Sequence, residues 1–150
     1  MVGHRAADVA PVADEAGAVV AANPAYAEGK ASSVRVGVAA SPANHAVLII
    51  GVDQPRPAGL LRALIAEPPP ADAIVIPTYD GRRGHPPLFG PGLRAELLAV
   101  QEETFGLRAV LRRHAAAIRH VETGDPITLV NLNAPEDTVA AWGLFARDNA

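Results

Sequence analysis

An α/β fold with a mostly parallel sheet is predicted by three features of this sequence. Apolar segments of strand length alternate with helical stretches along the 150 residues, which is the order in which crossover helices join parallel strands. The segment at residues 46–51 (AVLIIG) is continuously apolar, so we expect it in the middle of the sheet. No repeat, linker or change of composition divides the chain. We therefore expect one domain over residues 1–150.

The elements are predicted in order from apolar patterns and their flanking breakers. After the strand at 46–51, Pro57 opens a helix that ends near Ala66, because proline suits the first turn of a helix. A turn-rich loop at 80–87 cannot be helical. The remaining predicted elements are strands at 18–22, 73–77, 119–122 and 127–132, and helices at 32–40, 91–100, 106–114 and from Ala134 to about Arg147.

Composition and charge exclude several classes of function. With 13 Lys+Arg against 16 Asp+Glu the net charge is -3, so no long-range positive field attracts nucleic acid or an anionic membrane. The absence of Cys excludes disulfides, thiolate metal sites and a cysteine nucleophile. The first ten residues are not continuously apolar, so they resemble neither a signal peptide nor a membrane span. We expect a cytoplasmic protein.

Asp53 is the first candidate for a functional residue. It directly follows the strand at 46–51, and ligands of parallel sheets bind beyond the carboxyl ends of the strands. A carboxylate there can hold a magnesium ion that bridges nucleotide phosphates. Position alone nevertheless favours the simpler alternative, in which Asp53 caps the helix that opens near Pro57.

Three further segments carry polar groups beside predicted strands or helices. Gly29, Ser32 and Ser33 lie at the start of a helix and can bind an anion or a base edge, or simply cap the helix. The loop at 80–87 holds two arginines that can clamp a phosphate. The alternative is an exposed turn in which both arginines face the solvent. Amide oxygens at Asn131 and Asn133 can ligate a hard cation, although Asn133 can also cap the last helix.

Taken in order, these segments resemble the molybdopterin nucleotidyltransferases, a family of cytidylyl- and guanylyltransferases. The resemblance covers nearly the whole chain and involves the motifs V-x-G-H-R, N-P-x-Y-x-x-G-x-x-S-S-x-x-x-G, D-Q-P, R-G-H-P and N-x-N-T-P-E-D. The matching residues here are 2–5, 23–37, 53–55, 83–86 and 131–137, with Ala134 in place of the usual Thr.

The resemblance implies a three-layer, Rossmann-like nucleotide-diphospho-sugar transferase fold and the transfer of CMP or GMP from CTP or GTP to molybdopterin. It implies that Asp53 binds Mg²⁺, with Asn131 and Asn133 completing the metal environment. Gly29, Ser32 and Ser33 would bind the nucleotide, and Arg83, Gly84, His85 and Pro86 the pterin substrate. The Asn form of the last motif is guanylyltransferase-like, but the other motifs favour CTP slightly.

One motif of the family is not found. The L-A-A-G-x-S-x-R-M-G loop that holds the triphosphate has no counterpart here, so we expect the first strand and its Gly-rich loop, roughly forty residues, to be absent. We therefore expect weak nucleotide binding by the 150-residue chain alone. Two alternatives stay open: a nucleotidyltransferase for another small phosphate or sugar phosphate, and a non-catalytic molybdopterin-binding module. A molybdoenzyme or its chaperone is the implied protein partner.

Overall fold

Five short strands form one open sheet in residues 1–145, the part of the chain that the computed structural model describes. The predicted end of the last helix near Arg147 lies outside these described residues. The strands are β1 (Val47–Leu48), β2 (Ile74–Tyr79), β3 (Arg82–Arg83), β4 (Leu88–Phe89) and β5 (Ile118–Glu122).

Six α-helices surround this sheet in the described residues. They are α1 (Ala6–Glu15), α2 (Lys30–Ala40), α3 (Ala58–Ile65), α4 (Arg94–Leu98), α5 (Leu107–Arg113) and α6 (Pro135–Phe145). Short 3₁₀ turns lie at Tyr26–Glu28, Pro91–Leu93, Glu102–Thr104, Ala115–Ala117 and Pro126–Leu129. No helix among residues 1–145 has the length and apolar character needed to cross a membrane.

The α/β class is confirmed, but the prediction of a mostly parallel sheet is wrong for the described strands. β2 pairs in parallel with β5, whereas the β2–β3, β2–β4 and β1–β4 pairings are antiparallel. The cause is the turn at Asp80-Gly81, where φ is 50° and 69°. Two successive residues with positive φ make a tight hairpin, which sends the chain back as β3 and β4. β4 then lies between β1 and β2, so β1, β2 and β5 still run in one direction.

The predicted three layers are confirmed by two apolar cores on opposite faces of the sheet. Side chains alternate along a strand, and in β2 Ile74 and Ile76 join one core while Val75 joins the other. The first core includes side chains of α2, α4 and α5. The second includes side chains of α3, the Pro126–Leu129 turn and α6.

Three local predictions differ from the structure. The segment at 46–51 is paired only over Val47–Leu48 and lies at the edge of the sheet, because β4 takes the central place beside β2. Residues 18–22 form a single bridge, Val2–Ala22, instead of a strand, since the chain enters α1 after Arg5. Residues 126–129 form a 3₁₀ turn instead of a strand, because the Asp125 side chain accepts a hydrogen bond from Ile127 N.

Candidate functional site

Asp53 lies beside the segment that carries the two asparagines, as the sequence predicts. The backbone N–H of Leu132 donates to the carbonyl oxygen of Asp53 at 2.7 Å. The Asp53 side chain is half-buried and folds back against Gly51, whose missing Cβ leaves the space that the carboxylate occupies. The turn after β1 and the segment at 131–133 therefore meet at the edge of the sheet.

The Gly84-His85-Pro86 turn packs directly on the Pro126–Leu129 turn. His85 N donates to Thr128 O at 3.1 Å, and Gly84 N donates to Pro77 O at 2.8 Å. A Cβ at Gly84 would overlap the carbonyl group and the Cγ2 atom of Thr128. Only glycine permits this approach, and the approach fixes where His85 leaves the loop. The His85–Pro86 peptide bond is cis.

Arg56, which sequence reasoning did not single out, connects these segments. Its side chain is 6% exposed. Nε donates to His85 O at 2.9 Å, Nη2 to Thr128 O at 3.0 Å and Nη1 to Pro55 O at 2.6 Å. The only signal in the sequence is an arginine directly after Asp53-Gln54-Pro55, because burial of a charge depends on distant residues.

The charged groups around Asp53 shift the pKa values of their neighbours. Burial lowers the pKa of Arg56 to about 10, while the charges of Asp125 and Asp53 oppose that shift, so the guanidinium stays protonated at neutral pH. Partial burial, followed by the positive charges of Arg56 and Lys30, lowers the pKa of His85, and Asp53 opposes it. Electrostatic interaction therefore links Lys30, Asp53, Arg56 and His85.

A cavity of about 520 Å³ opens beside this group of charges. It lies between the start of α2, the turn after β1 and α5. Its walls include two cations, Lys30 and Arg108, and the imidazole of His85. Glu102 and the exposed ring of Phe105 also line it. Such a cavity can accept an anionic molecule that also carries a planar apolar part.

A second cavity of about 580 Å³ adjoins the first. Its walls are mostly apolar and include Ser33, Gly37 and the stretch from Leu48 to Val52. Lys30, Val34, Ile49 and Gly51 line both cavities. Lys30 therefore lies where molecules bound in the two cavities would meet.

The two predicted nucleotide-binding serines occupy different environments. Ser32 is 3% exposed, and its hydroxyl accepts from Asn23 Nδ2 at 2.9 Å and lies 2.8 Å from Gly29 O. Ser33 is half-buried, accepts from Asn23 Nδ2 at 3.0 Å and lines the second cavity. Gly29, with φ of 108°, directly precedes α2, and Glu102 accepts a hydrogen bond from Ala31 N in its first turn. Ser33 is thus the serine that a ligand can reach.

Of the four residues predicted to bind the pterin substrate, His85 lines the first cavity and Pro86 is buried behind it. Arg83 points elsewhere: its Nε donates to His120 Nε2 at 2.9 Å on the exposed side of β3 and β5. The structure does not bring Arg83 to the cavity that His85 lines. A direct role of Arg83 stays a prediction.

The predicted metal ligands supply oxygen atoms only. Asn131 Oδ1 is buried and, among residues 1–145, has no hydrogen-bond partner. Asn131 and Asn133 line a third cavity of about 330 Å³, whose walls do not include Asp53. The backbone N–H groups of Asn133 and Ala134 donate to Asp137. No cluster of three or more His, Asp or Glu side chains suited to a metal is present in the described part. One carboxylate and an amide oxygen fit Mg²⁺, which keeps several waters and is otherwise held by substrate phosphates.

Comparison with known proteins gives a family and a fold. A family profile described as "MobA-like NTP transferase domain" matches residues 1–118. No curated protein matches. Thirteen chains of solved structures match, among them one titled a nucleotidyl transferase from Methanothermobacter thermautotroptrophicus. It is 23% identical, with a TM-score of 0.78, over 96% of this chain and 70% of that chain. At this identity the likeness shows the fold.

Proposed function

The chain belongs to the MobA-like NTP transferase family, and from this premise we propose that it transfers CMP or GMP from CTP or GTP to molybdopterin. The supporting observation is a pair of adjoining cavities that share Lys30 and Gly51, one lined by Ser33 and the other by His85. Asp53 lies two residues after Gly51, and its carbonyl oxygen accepts from Leu132 N. Two cavities with a common cationic boundary suit a reaction that joins two phosphate-bearing molecules. The cytoplasm as location and a molybdoenzyme or its chaperone as partner belong to the same proposal.

The two cavities divide the substrates between them. The nucleotide occupies the cavity lined by Ser33, and the pterin substrate the one lined by His85. A phosphate oxygen of the acceptor attacks the α-phosphorus of the triphosphate, a new P–O bond forms, and pyrophosphate leaves with the electron pair of the broken bond. Lys30, at the boundary, stabilises the charge on the transferred phosphoryl group. No protein nucleophile is needed.

Asp53 and Asn131 would hold the Mg²⁺ ion. Bound there, the ion supplies charge neutralisation for the phosphates during transfer. Asp53 would supply the formal negative charge, and the unpartnered Asn131 oxygen would ligate the ion or accept a hydrogen bond from one of its waters. His85, whose pKa is lowered, stays largely neutral at pH 7 and donates to or accepts from the acceptor phosphate.

The Asp53→Ala substitution tests this proposal. We expect the turnover number to fall by at least about 100-fold, because the carboxylate holds the Mg²⁺ ion that would neutralise the phosphates during transfer. Release of pyrophosphate from CTP and, separately, GTP in the presence of molybdopterin measures the rate and also decides the base. Asp14→Ala, which removes an exposed carboxylate from α1, is the matched control and should turn over as the unchanged protein does. A near-normal rate for Asp53→Ala would rule out the assignment.

The same assay separates the alternatives for the acceptor. Turnover with a sugar phosphate but not with molybdopterin would point to the broader class of nucleotidyltransferases. Binding of molybdopterin measured by calorimetry, without pyrophosphate release from either triphosphate, would point to a binding module.

A further inference from the structure

We propose that Arg56 is a positioning residue for nucleotidyl transfer, one that sets the placement of Asp53 relative to His85. This inference rests on the proposed function and deepens it. The observation behind it is a single buried guanidinium that donates to carbonyl groups of two distant segments, at His85 and Thr128, and to that of the adjacent residue, Pro55. Each of those segments carries or supports a residue of the candidate site.

The three hydrogen bonds form a closed set of links. Pro55 follows the Asp53 turn, His85 belongs to the loop after β3, and Thr128 belongs to the turn that precedes Asn131. Two backbone hydrogen bonds, from His85 N to Thr128 O and from Leu132 N to Asp53 O, join the same segments. Thr128 O therefore accepts from both Arg56 and His85. Displacement of the guanidinium would remove three of these links at once and leave the two backbone hydrogen bonds.

Stability of the fold alone does not account for a charge in this place. The ion pairs among residues 1–145 involve Arg5 with Asp8, and Glu96 with Arg113 and His114, so the Arg56 charge is buried without a direct carboxylate partner. Burial of a charge is costly, and well-packed apolar residues often replace buried charged groups without loss of stability. What an apolar residue cannot do is hold three carbonyl oxygens at fixed positions.

The shape of the guanidinium is the essential property. Its donors lie in one rigid plane and point in different directions, and here Nε, Nη1 and Nη2 each reach a different carbonyl group. A lysine keeps the charge, but its donors diverge from one atom and cannot span the same three acceptors. The proposal therefore predicts that Lys does not replace Arg at this position.

The kinetic test compares Arg56→Lys and Arg56→Gln with a matched control, Arg94→Gln. Arg94 also donates to backbone and side-chain oxygens, those of Ser41 and Pro42, in another part of the chain. For both Arg56 variants we expect kcat for pyrophosphate release from CTP or GTP with molybdopterin to fall about 100-fold, while KM changes no more than about threefold, because misplacement of reacting groups acts on the transition state. Arg94→Gln should keep kcat within about twofold. Normal kcat in Arg56→Lys would overturn the proposal.

A second measurement does not depend on turnover. Amide hydrogen exchange should accelerate at His85 and Leu132 in both Arg56 variants, whereas the amides of β2 should exchange at the unchanged rate. The acceptor of His85 N, Thr128 O, loses its Arg56 donor, and the acceptor of Leu132 N, Asp53 O, lies two residues before Pro55, whose carbonyl loses the same donor. Arg94→Gln should leave His85 and Leu132 protected. Equal acceleration across the whole chain, or none, would show that Arg56 does not position these segments. If the unchanged protein releases no pyrophosphate, the proposed function fails while hydrogen exchange still decides the role of Arg56.

Discussion

Burial and neighbouring charges shift the pKa values of His85 and Arg56. Desolvation beside the cavity and the positive charges of Arg56 and Lys30 lower the pKa of His85, although the residue keeps an exposed surface. Arg56, although its pKa falls to about 10, remains a cation. At neutral pH the site therefore combines fixed positive charges with an uncharged imidazole, which is an arrangement suited to binding phosphates.

The lowered pKa of His85 predicts a pH dependence of stability. In the unfolded chain a histidine takes up a proton near pH 6.5, whereas folded His85 does so only at lower pH. As the pH falls through about 6.5, the unfolded state binds protons that the folded state does not, so this group makes the free energy of unfolding decrease. The effect is absent above that range.

The substitution His85→Gln removes this contribution. We expect the variant to lose less stability than the unchanged protein between about pH 7.5 and pH 5.5, measured by urea denaturation at each pH. Identical pH dependence in the two proteins would contradict the lowered pKa. The same substitution should also raise KM for molybdopterin, since His85 lines the proposed acceptor cavity.

At the scale of one element, the first turn of α2 places Ser32 in the packed interior and Ser33 on a cavity wall. Asn23 is 3% exposed and links both hydroxyl groups to the segment before the helix. Ser32 lies inside this arrangement, whereas Ser33 lines the cavity assigned to the nucleotide. The two positions therefore predict opposite results for the same substitution.

Ser32→Ala should lower the free energy of unfolding by about 1–3 kcal/mol, because a buried donor of Asn23 loses its partner. Ser33→Ala should lower it less and instead raise KM for CTP or GTP about three- to tenfold, the range expected for one lost hydrogen bond. Denaturation and steady-state kinetics on both variants measure the two effects. If both variants lost stability equally and bound nucleotide normally, Ser33 would not belong to the nucleotide site.

At the scale of the whole molecule, Phe89 lies in the packed core and Phe105 lies on the wall of a cavity. Phe89 in β4 is completely buried among side chains of α2, α4 and α5. Phe105 is 65% exposed, has φ of 66° and carries the Arg112 guanidinium 5.2 Å from its ring centre. The first residue holds the central layer to its neighbours, and the second lines the proposed acceptor cavity.

Phe89→Ala should destabilise the protein by about 3–5 kcal/mol, the cost of a large cavity in a core. Phe105→Ala should cost about 0.5–1 kcal/mol through the lost cation–π contact but should weaken molybdopterin binding. Thermal unfolding and calorimetry distinguish the two results. Normal molybdopterin binding by Phe105→Ala would remove this cavity from the acceptor site.

The sequence predicts well those helices and strands that depend on local spacing of apolar residues. The helix that follows Pro57, the buried strand β2 and helix α5 are found where apolar spacing and breakers place them. These elements depend on neighbouring residues in the chain, so a single sequence carries them. The Asp53 turn also meets the segment at 131–133 through the hydrogen bond from Leu132 N, whereas the Gly84-His85 turn meets Thr128 instead.

By itself, the sequence thus determined the α/β class, the three layers and the family to which these motifs belong. Only the tertiary structure decided that β4 lies between β1 and β2, that Arg83 pairs with His120, and that Arg56 is buried where three turns meet. The physical reason is that strand pairing and burial depend on contacts between residues far apart in the chain. Composition and spacing cannot show which distant carbonyl group a donor will reach.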